Sequence, residues 1–178
     1  MLRSFKKRVD PARTQGYLPM NLAMNLGDLL AADGVVPQLR AKDKRTALLE
    51  LSQRAADVTK ADARLIHDAL MQRENLGSTG LGRGIAIPHV KLAQFKTITC
   101  LFARLETPIP FDSLDNQPVD LIFVLLAPEH ASGDHLKALA RISRLLRDNS
   151  AMERLRTAKD RAALLAILTE KATTSHAA

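Results

Sequence analysis

The run Val119-Asp120-Leu121-Ile122-Phe123-Val124-Leu125-Leu126-Ala127 constrains the fold more than any other stretch of this chain. It is almost continuously apolar, with Pro118 before it and Pro128 after it. A short apolar run between turn-forming residues reads as a strand buried in the centre of a sheet. A second strand is expected at Thr97–Arg104, where Ile98, Cys100 and Phe102 alternate with Leu101 and Ala103, so that both faces are largely covered. Val35-Val36-Pro37-Gln38-Leu39 reads as a short strand, and its proline, which has no N–H to donate, places it at an edge. Ile85-Ala86-Ile87 is also strand-like. Glu106–Pro118 holds three prolines and reads as a turn-rich connection.

Between these runs the apolar period changes to that of a helix. Leu26, Leu29 and Leu30 suggest a short helical turn. Asp43 is a plausible cap for a helix carrying Ala47, Leu48, Leu51, Ala55 and Val58 on one face. Thr59 and Asp62 form a capping-box pattern ahead of Leu65, Ile66, Ala69 and Leu70, whose helix ends near Arg73. After a loop at Pro128–Gly133, Ser132 or Asp134 is expected to cap a helix with His135 in its first turn. Leu136, Leu139, Ala140, Leu145 and Leu146 are expected to face inward from it. A short helix follows around Ala151–Arg156, and Thr157 with Asp160 repeats the capping pattern before Ala162–Leu168. Helices alternating with strands indicate an α/β layer structure.

At 178 residues the chain fits one domain with a proper core, expected over residues 21–178. Residues 1–20 are polar and aperiodic, and Arg3, Lys6, Lys7, Arg8 and Arg13 against Asp10 give them a net +4 of the chain's +7. They read as a loose basic tail. No apolar segment follows the basic start, so it is not a secretory signal. No apolar stretch approaches membrane-spanning length, which makes direct membrane insertion unexpected and the cytoplasm the expected compartment. Aromatic residues make up 3% of the chain, which argues against a nucleic-acid module that stacks bases. The single cysteine, Cys100, sits in an apolar run and reads as a small buried residue. No cysteine–histidine cluster has zinc spacing, so neither metal nor cofactor is expected.

The chemistry concentrates in Arg73–Lys91. Four glycines at 77, 80, 82 and 84 alternate with Ser78, Thr79 and Arg83 before Ile85-Ala86-Ile87-Pro88-His89. Proline stiffens the chain just ahead of a single histidine. The stretch is not a P-loop, because no Gly-Lys-Ser/Thr closes it. It is not a dinucleotide fingerprint, because Ile87 stands where the third glycine belongs and the glycines precede the strand-like run. Spacing alone leaves open a flexible linker beside a structural histidine.

Gly77-Ser-Thr-Gly-Leu-Gly-Arg-Gly-Ile-Ala-Ile-Pro-His89 resembles the active-site signature of mannitol/fructose-type IIA proteins of the bacterial phosphotransferase system. Glu106-Thr-Pro-Ile-Pro-Phe-Asp-Ser-Leu-Asp-Asn-Gln-Pro-Val-Asp-Leu121 resembles their nitrogen-regulatory branch. The resemblance implies a mannitol-type IIA fold, a single mixed β-sheet with helices on both faces. It implies that His89 is phosphorylated on Nε2, that His135 supports it, and that Arg73 helps hold the phosphoryl group. Ser78 and Thr79 are candidate phosphate donors, and Arg83 and Lys91 candidate rim charges. His67, His130 and His176 are assigned no role. The implied donor is an HPr-like phosphocarrier protein of the nitrogen branch, and the implied targets are regulated proteins such as kinases or ion-transport components. A sugar-transport IIA component that passes phosphate to a IIB protein is the alternative within the family.

Overall fold

The computed structural model describes residues 26–170. The basic tail expected at residues 1–20 and His176 lie outside that range. Leu26–Leu29 forms one helical turn (α1) that passes directly into a strand, Leu30–Leu39 (β1). Helices Lys44–Thr59 (α2) and Ala63–Asn75 (α3) follow, then three short strands, Gly80–Gly82 (β2), Ile85–Ala86 (β3) and His89–Leu92 (β4). Two long strands, Thr99–Ile109 (β5) and Val119–Pro128 (β6), precede helices Ser132–Leu146 (α4), Asn149–Thr157 (α5) and Arg161–Thr169 (α6). The strands form one mixed sheet in the order β1-β5-β6-β3-β2, with β4 also paired to β6. β1 runs parallel to β5, β5 antiparallel to β6, and both β3 and β4 parallel to β6.

The apolar run at 119–127 is the centre of this sheet. Leu121, Phe123, Leu125 and Ala127 pack on one face against Ile142, Met152, Leu155 and Leu164 of α4–α6. Ile122, Val124 and Leu126 pack on the other against Leu48, Leu51, Ile66 and Leu70 of α2 and α3. Successive side chains of a strand point to opposite faces, and here both faces are covered, so the strand reads as unbroken hydrophobicity. Each fully buried Leu, Ile or Phe contributes about 1.5–3 kcal/mol, which makes β6 the main organiser of both layers. β1 lies at the sheet edge, where Pro37 is expected.

β5 is longer than the sequence suggests. It continues through Glu106-Thr107-Pro108 to Ile109, where a turn-rich connection is expected. The last partner of β5 on β1 is Leu39 opposite Leu105, and its register with β6 is irregular between Arg104 and Ile109. Pro108 therefore falls where the ladder needs no N–H from it.

Both capping-box readings are corrected in the same way. Asp62 itself caps α3, accepting from the Arg64 and Leu65 N–H groups, while Thr59 ends α2 and donates its hydroxyl to the Ala55 carbonyl at 2.7 Å. Asp160 caps α6 through Ala163 N–H at 2.9 Å, while Thr157 ends α5 with its hydroxyl on the Glu153 carbonyl. Each threonine closes one helix and each aspartate opens the next. Asp43 caps α2 through Thr46 N–H at 2.7 Å. Neither Ser132 nor Asp134 caps α4. Its cap position is Ala131, which has no side-chain cap bond; Asp134 lies within the first turn and pairs with Lys137 at 2.8 Å. The inward face of α4 is His135, Ala138, Ile142 and Leu146, with Leu139 and Leu145 partly buried. Leu136 and Ala140, expected inside, are exposed, because they fall on the far side of a 3.6-residue turn from His135 and Ala138. Among the described residues no helix is long and apolar enough to cross a membrane.

Candidate functional site

The glycine stretch is a built hairpin. β2 and β3 pair antiparallel, with Gly82 opposite Ile85, so Arg83 and Gly84 are the two turn residues. Their φ values are 57° and 79°, the pair of left-handed conformations that a two-residue hairpin turn requires. A Cβ on Gly84 would lie 2.6 Å from Asp120 Oδ1 and 2.9 Å from Arg156 Nη2, so no side chain fits there. Arg156 grips Asp120 with Nε and Nη2 at 2.7 and 3.1 Å, and Nη2 also donates to the Arg83 carbonyl at 2.7 Å. The connection after β5 straps the hairpin from the other side. Arg83 N–H donates to Asp115 Oδ2 at 2.7 Å, and Leu114 N–H donates to the Gly80 carbonyl at 3.2 Å.

Beyond β3 the strand breaks at Ile87-Pro88 and resumes at His89. β3 and β4 lie in succession along the same side of β6, with Ile85 opposite Leu121 and His89 opposite Leu125. The Pro88 carbonyl accepts from Leu125 N–H at 2.9 Å, so proline interrupts the strand without detaching it from the sheet. Val90 points into the core under α2 and α3. Alternation then places His89 on the opposite face, beside α4. His89 Nδ1 lies 2.8 Å from the Ile87 carbonyl. A carbonyl only accepts, so Nδ1 carries the hydrogen and Nε2 keeps the lone pair. Arg73, from the last turn of α3, brings Nε to 3.3 Å from His89 Nε2 and donates from Nη1 to the Gly77 carbonyl at 2.9 Å. The His135 ring stands edge-on to His89, 5.4 Å between centroids at 68°. The two helical layers therefore meet at one imidazole, with Arg73 from one and His135 from the other.

Electrostatics keep both rings neutral near pH 7. Burial holds the pKa of His89 below the usual histidine value, opposed by the Ile87 carbonyl, assisted by Arg73 and opposed again by Glu74. Burial pushes His135 down to about 4, helped by repulsion from His89 whenever that ring is protonated and from Lys91. Lys91 donates to Ser132 Oγ at 3.1 Å, at the uncapped start of α4. A neutral imidazole thus sits between the Arg73 guanidinium and the His135 ring, with Lys91 and the start of α4 beside the latter, surroundings that favour an incoming anion.

Residues 28–171 match the family model described as phosphoenolpyruvate-dependent sugar phosphotransferase system, EIIA 2. The chain belongs to this family. It is 50% identical over 145 residues to a nitrogen regulatory protein of Bradyrhizobium diazoefficiens, covering 82% of this chain and 95% of that protein. It is 38% identical over 149 residues to a nitrogen regulatory protein of Escherichia coli K12, covering 83% and 91%. Among solved structures, nitrogen regulatory protein IIA-Ntr from Neisseria meningitidis matches with a TM-score of 0.77 at 35% identity, covering 81% of this chain and 99% of that one. Mannitol IIA from Escherichia coli shares the fold, with a TM-score of 0.67 at 20% identity over 77% and 96%. The mixed sheet with helices on both faces is thus the mannitol-type IIA fold, and the relatives put the chain in the nitrogen-regulatory branch.

In this IIA protein the loop hydroxyls do something other than what the sequence suggests. Ser78 donates to the Phe111 carbonyl at 2.7 Å, and Thr79 donates to Glu74 Oε2 at 2.6 Å. Both hydroxyl hydrogens are committed to internal acceptors and hold the hairpin to its surroundings. Arg83 and Lys91 are both exposed, with Arg83 also bonded to Asn149. His67 is half-buried in α3 with Nδ1 3.6 Å from Asp68, and His130 is exposed in the turn before α4; neither adjoins His89 in the contacts described. Burial raises the Cys100 thiol to about 12, so it is inert. Sequence reasoning passed over Glu74, a buried carboxylate beside Arg73. An acid at the end of an otherwise amphipathic helix looks solvated; only its proximity to a threonine five residues on could have pointed to it.

Proposed function

We propose that this IIA protein carries a phosphoryl group on His89 Nε2, received from an HPr-like phosphocarrier of the nitrogen branch, and acts chiefly as a regulator in the cytoplasm. The observation that supports this best is the 2.8 Å contact between His89 Nδ1 and the Ile87 carbonyl, which leaves the Nε2 lone pair as the nucleophile. In the transfer, a bond forms between Nε2 and phosphorus as the donor's phosphorus–nitrogen bond breaks. The electron pair of the broken bond stays on the leaving imidazole. His89 retains its Nδ1 proton, and the positive charge growing on the ring is stabilised by the Ile87 carbonyl. The transferring group is loose and anionic, so catalysis rests on alignment and charge. Arg73 moves its guanidinium from Nε2 to a phosphoryl oxygen, and His135 donates to another.

Phosphorylation adds about −1.5 to −2 charge at neutral pH to a site that holds Arg73 and, beside His135, Lys91, enough to switch the binding of a partner such as a kinase or an ion-transport component. Incubation with the phosphorylated phosphocarrier should give an acid-labile, base-stable modification at His89 that His89→Ala abolishes. Full labelling of that variant would remove the assignment. Adding a IIB protein tests the sugar-transport alternative, in which the label would pass on rapidly.

A further inference from the structure

The hydrogen bonds around Glu74 lead, step by step, to the reactive imidazole. Glu74 is 7% exposed, and its carboxylate accepts four contacts. Thr79 N–H reaches Oε1 and Oε2 at 2.9 and 3.1 Å, Thr79 Oγ1 donates to Oε2 at 2.6 Å, and Lys44 Nζ donates to Oε1 at 3.1 Å. Lys44 is itself fixed, by Asp112 at 2.8 Å and by lying 4.9 Å from the centroid of the Phe111 ring. The Thr79 carbonyl accepts from Ile87 N–H at 3.0 Å, and the Ile87 carbonyl is the acceptor for His89 Nδ1. The path Glu74–Thr79–Ile87–His89 thus runs from a buried charge to the atom that sets the tautomer. A second path is shorter. Glu74 is the chain neighbour of Arg73, whose guanidinium bridges Gly77 and His89 Nε2.

Taking His89 as the phosphoryl acceptor, we infer that Glu74 is a positioning residue for phosphoryl transfer: through Thr79 and Ile87 it holds His89 as the Nδ1–H tautomer, and through the last turn of α3 it holds Arg73 over Nε2. A carboxylate suits this position because it accepts only, and every group around it donates. An amide in its place would turn an NH2 towards either Lys44 or Thr79. Buried hydrogen bonds to a charged acceptor are strong and directional, so the loss is expected in geometry as much as in stability.

The test has two readouts. The first needs no phosphoryl transfer. Nitrogen-15 NMR of the His89 ring should show one tautomer in the wild type, with hydrogen on Nδ1, and a mixture of tautomers in Glu74→Gln. The second is rapid-quench phosphoryl uptake, in which Glu74→Gln should lower the maximal rate by about tenfold, with little change in the carrier concentration at half-saturation. If Glu74→Gln does not fold, Thr79→Val should show both effects and Thr79→Ser should restore both. A folded Glu74→Gln, or failing that Thr79→Val, with a wild-type tautomer and a wild-type rate would overturn the inference. If the wild type shows the single tautomer but takes up no label, the phosphoryl-carrier reading fails while the positioning path stands.

Discussion

At the scale of single residues, His89 and His135 have similar rings and different tasks. His89 keeps a lone pair towards Arg73, whereas His135 has its Nδ1 buried without a hydrogen-bond partner. A ring with one nitrogen enclosed in this way resists protonation, and its pKa of about 4 lies well below that of an unfolded histidine. The folded state therefore binds fewer protons than the unfolded state between about pH 6.5 and 4, so this histidine lowers stability as pH falls through that window and has no effect above it. Melting curves at pH 7 and pH 5 should show a larger fall for the wild type than for His135→Ala. That variant should also take up phosphoryl groups at least about tenfold more slowly at pH 7, for loss of one charge-assisted hydrogen bond worth about 1.5–3 kcal/mol. Arg73→Ala should slow uptake by a similar factor with a melting temperature close to wild type, since the hydrogen bonds described for its side chain go only to Gly77 and His89. Stopped-flow or rapid-quench traces beside thermal melts separate these outcomes.

At the scale of elements, the hairpin of β2 and β3 is held at its turn rather than along its short strands. Gly84→Ala puts a methyl group against Asp120 and Arg156 at a φ of 79°, so it should cost about 1–3 kcal/mol or more and loosen the route to His89. Gly133→Ala, with open space around the added methyl group, should stay within about 0.5 kcal/mol of wild type; urea denaturation measures both. Elements buried on both faces were legible in the sequence, because continuous apolar runs have few other uses; β6 is the clear case. The extension of β5 past Leu105 was hidden, since Thr107, Pro108 and Pro110 look like a turn until the neighbouring strand is seen to end. The two threonine–aspartate patterns misled for a local reason. A three-residue spacing between hydroxyl and carboxylate fits one capped helix, and it also fits the junction of two. Within the site, His89, Arg73 and His135 were singled out by the family resemblance, since spacing alone left a structural histidine open, and the fold brings the three together. The commitments of Ser78 and Thr79 depend on Phe111 and Glu74, and nothing short of the folded chain brings those together.

At the scale of the whole molecule, the site lies where the two helical layers approach each other over the edge of one sheet. Residues 1–19 have no apolar periodicity and little to bury, so their deletion should leave the melting temperature within a degree or two and phosphoryl uptake unchanged. A large drop in either would show that the tail packs on the domain. The interrupted strand has a consequence of a different kind. Because His89 is laddered to β6 on the far side of Pro88, the phosphoryl group would be mounted on a strand paired to the central strand of the sheet rather than on a loop free to rearrange. The two forms of the protein would then present nearly the same shape, and a partner could tell them apart only by charge. Added salt should erode that distinction. A target's preference for one form would shrink as ionic strength rises from about 0.05 M to 0.5 M, whereas a preference founded on altered shape would survive it.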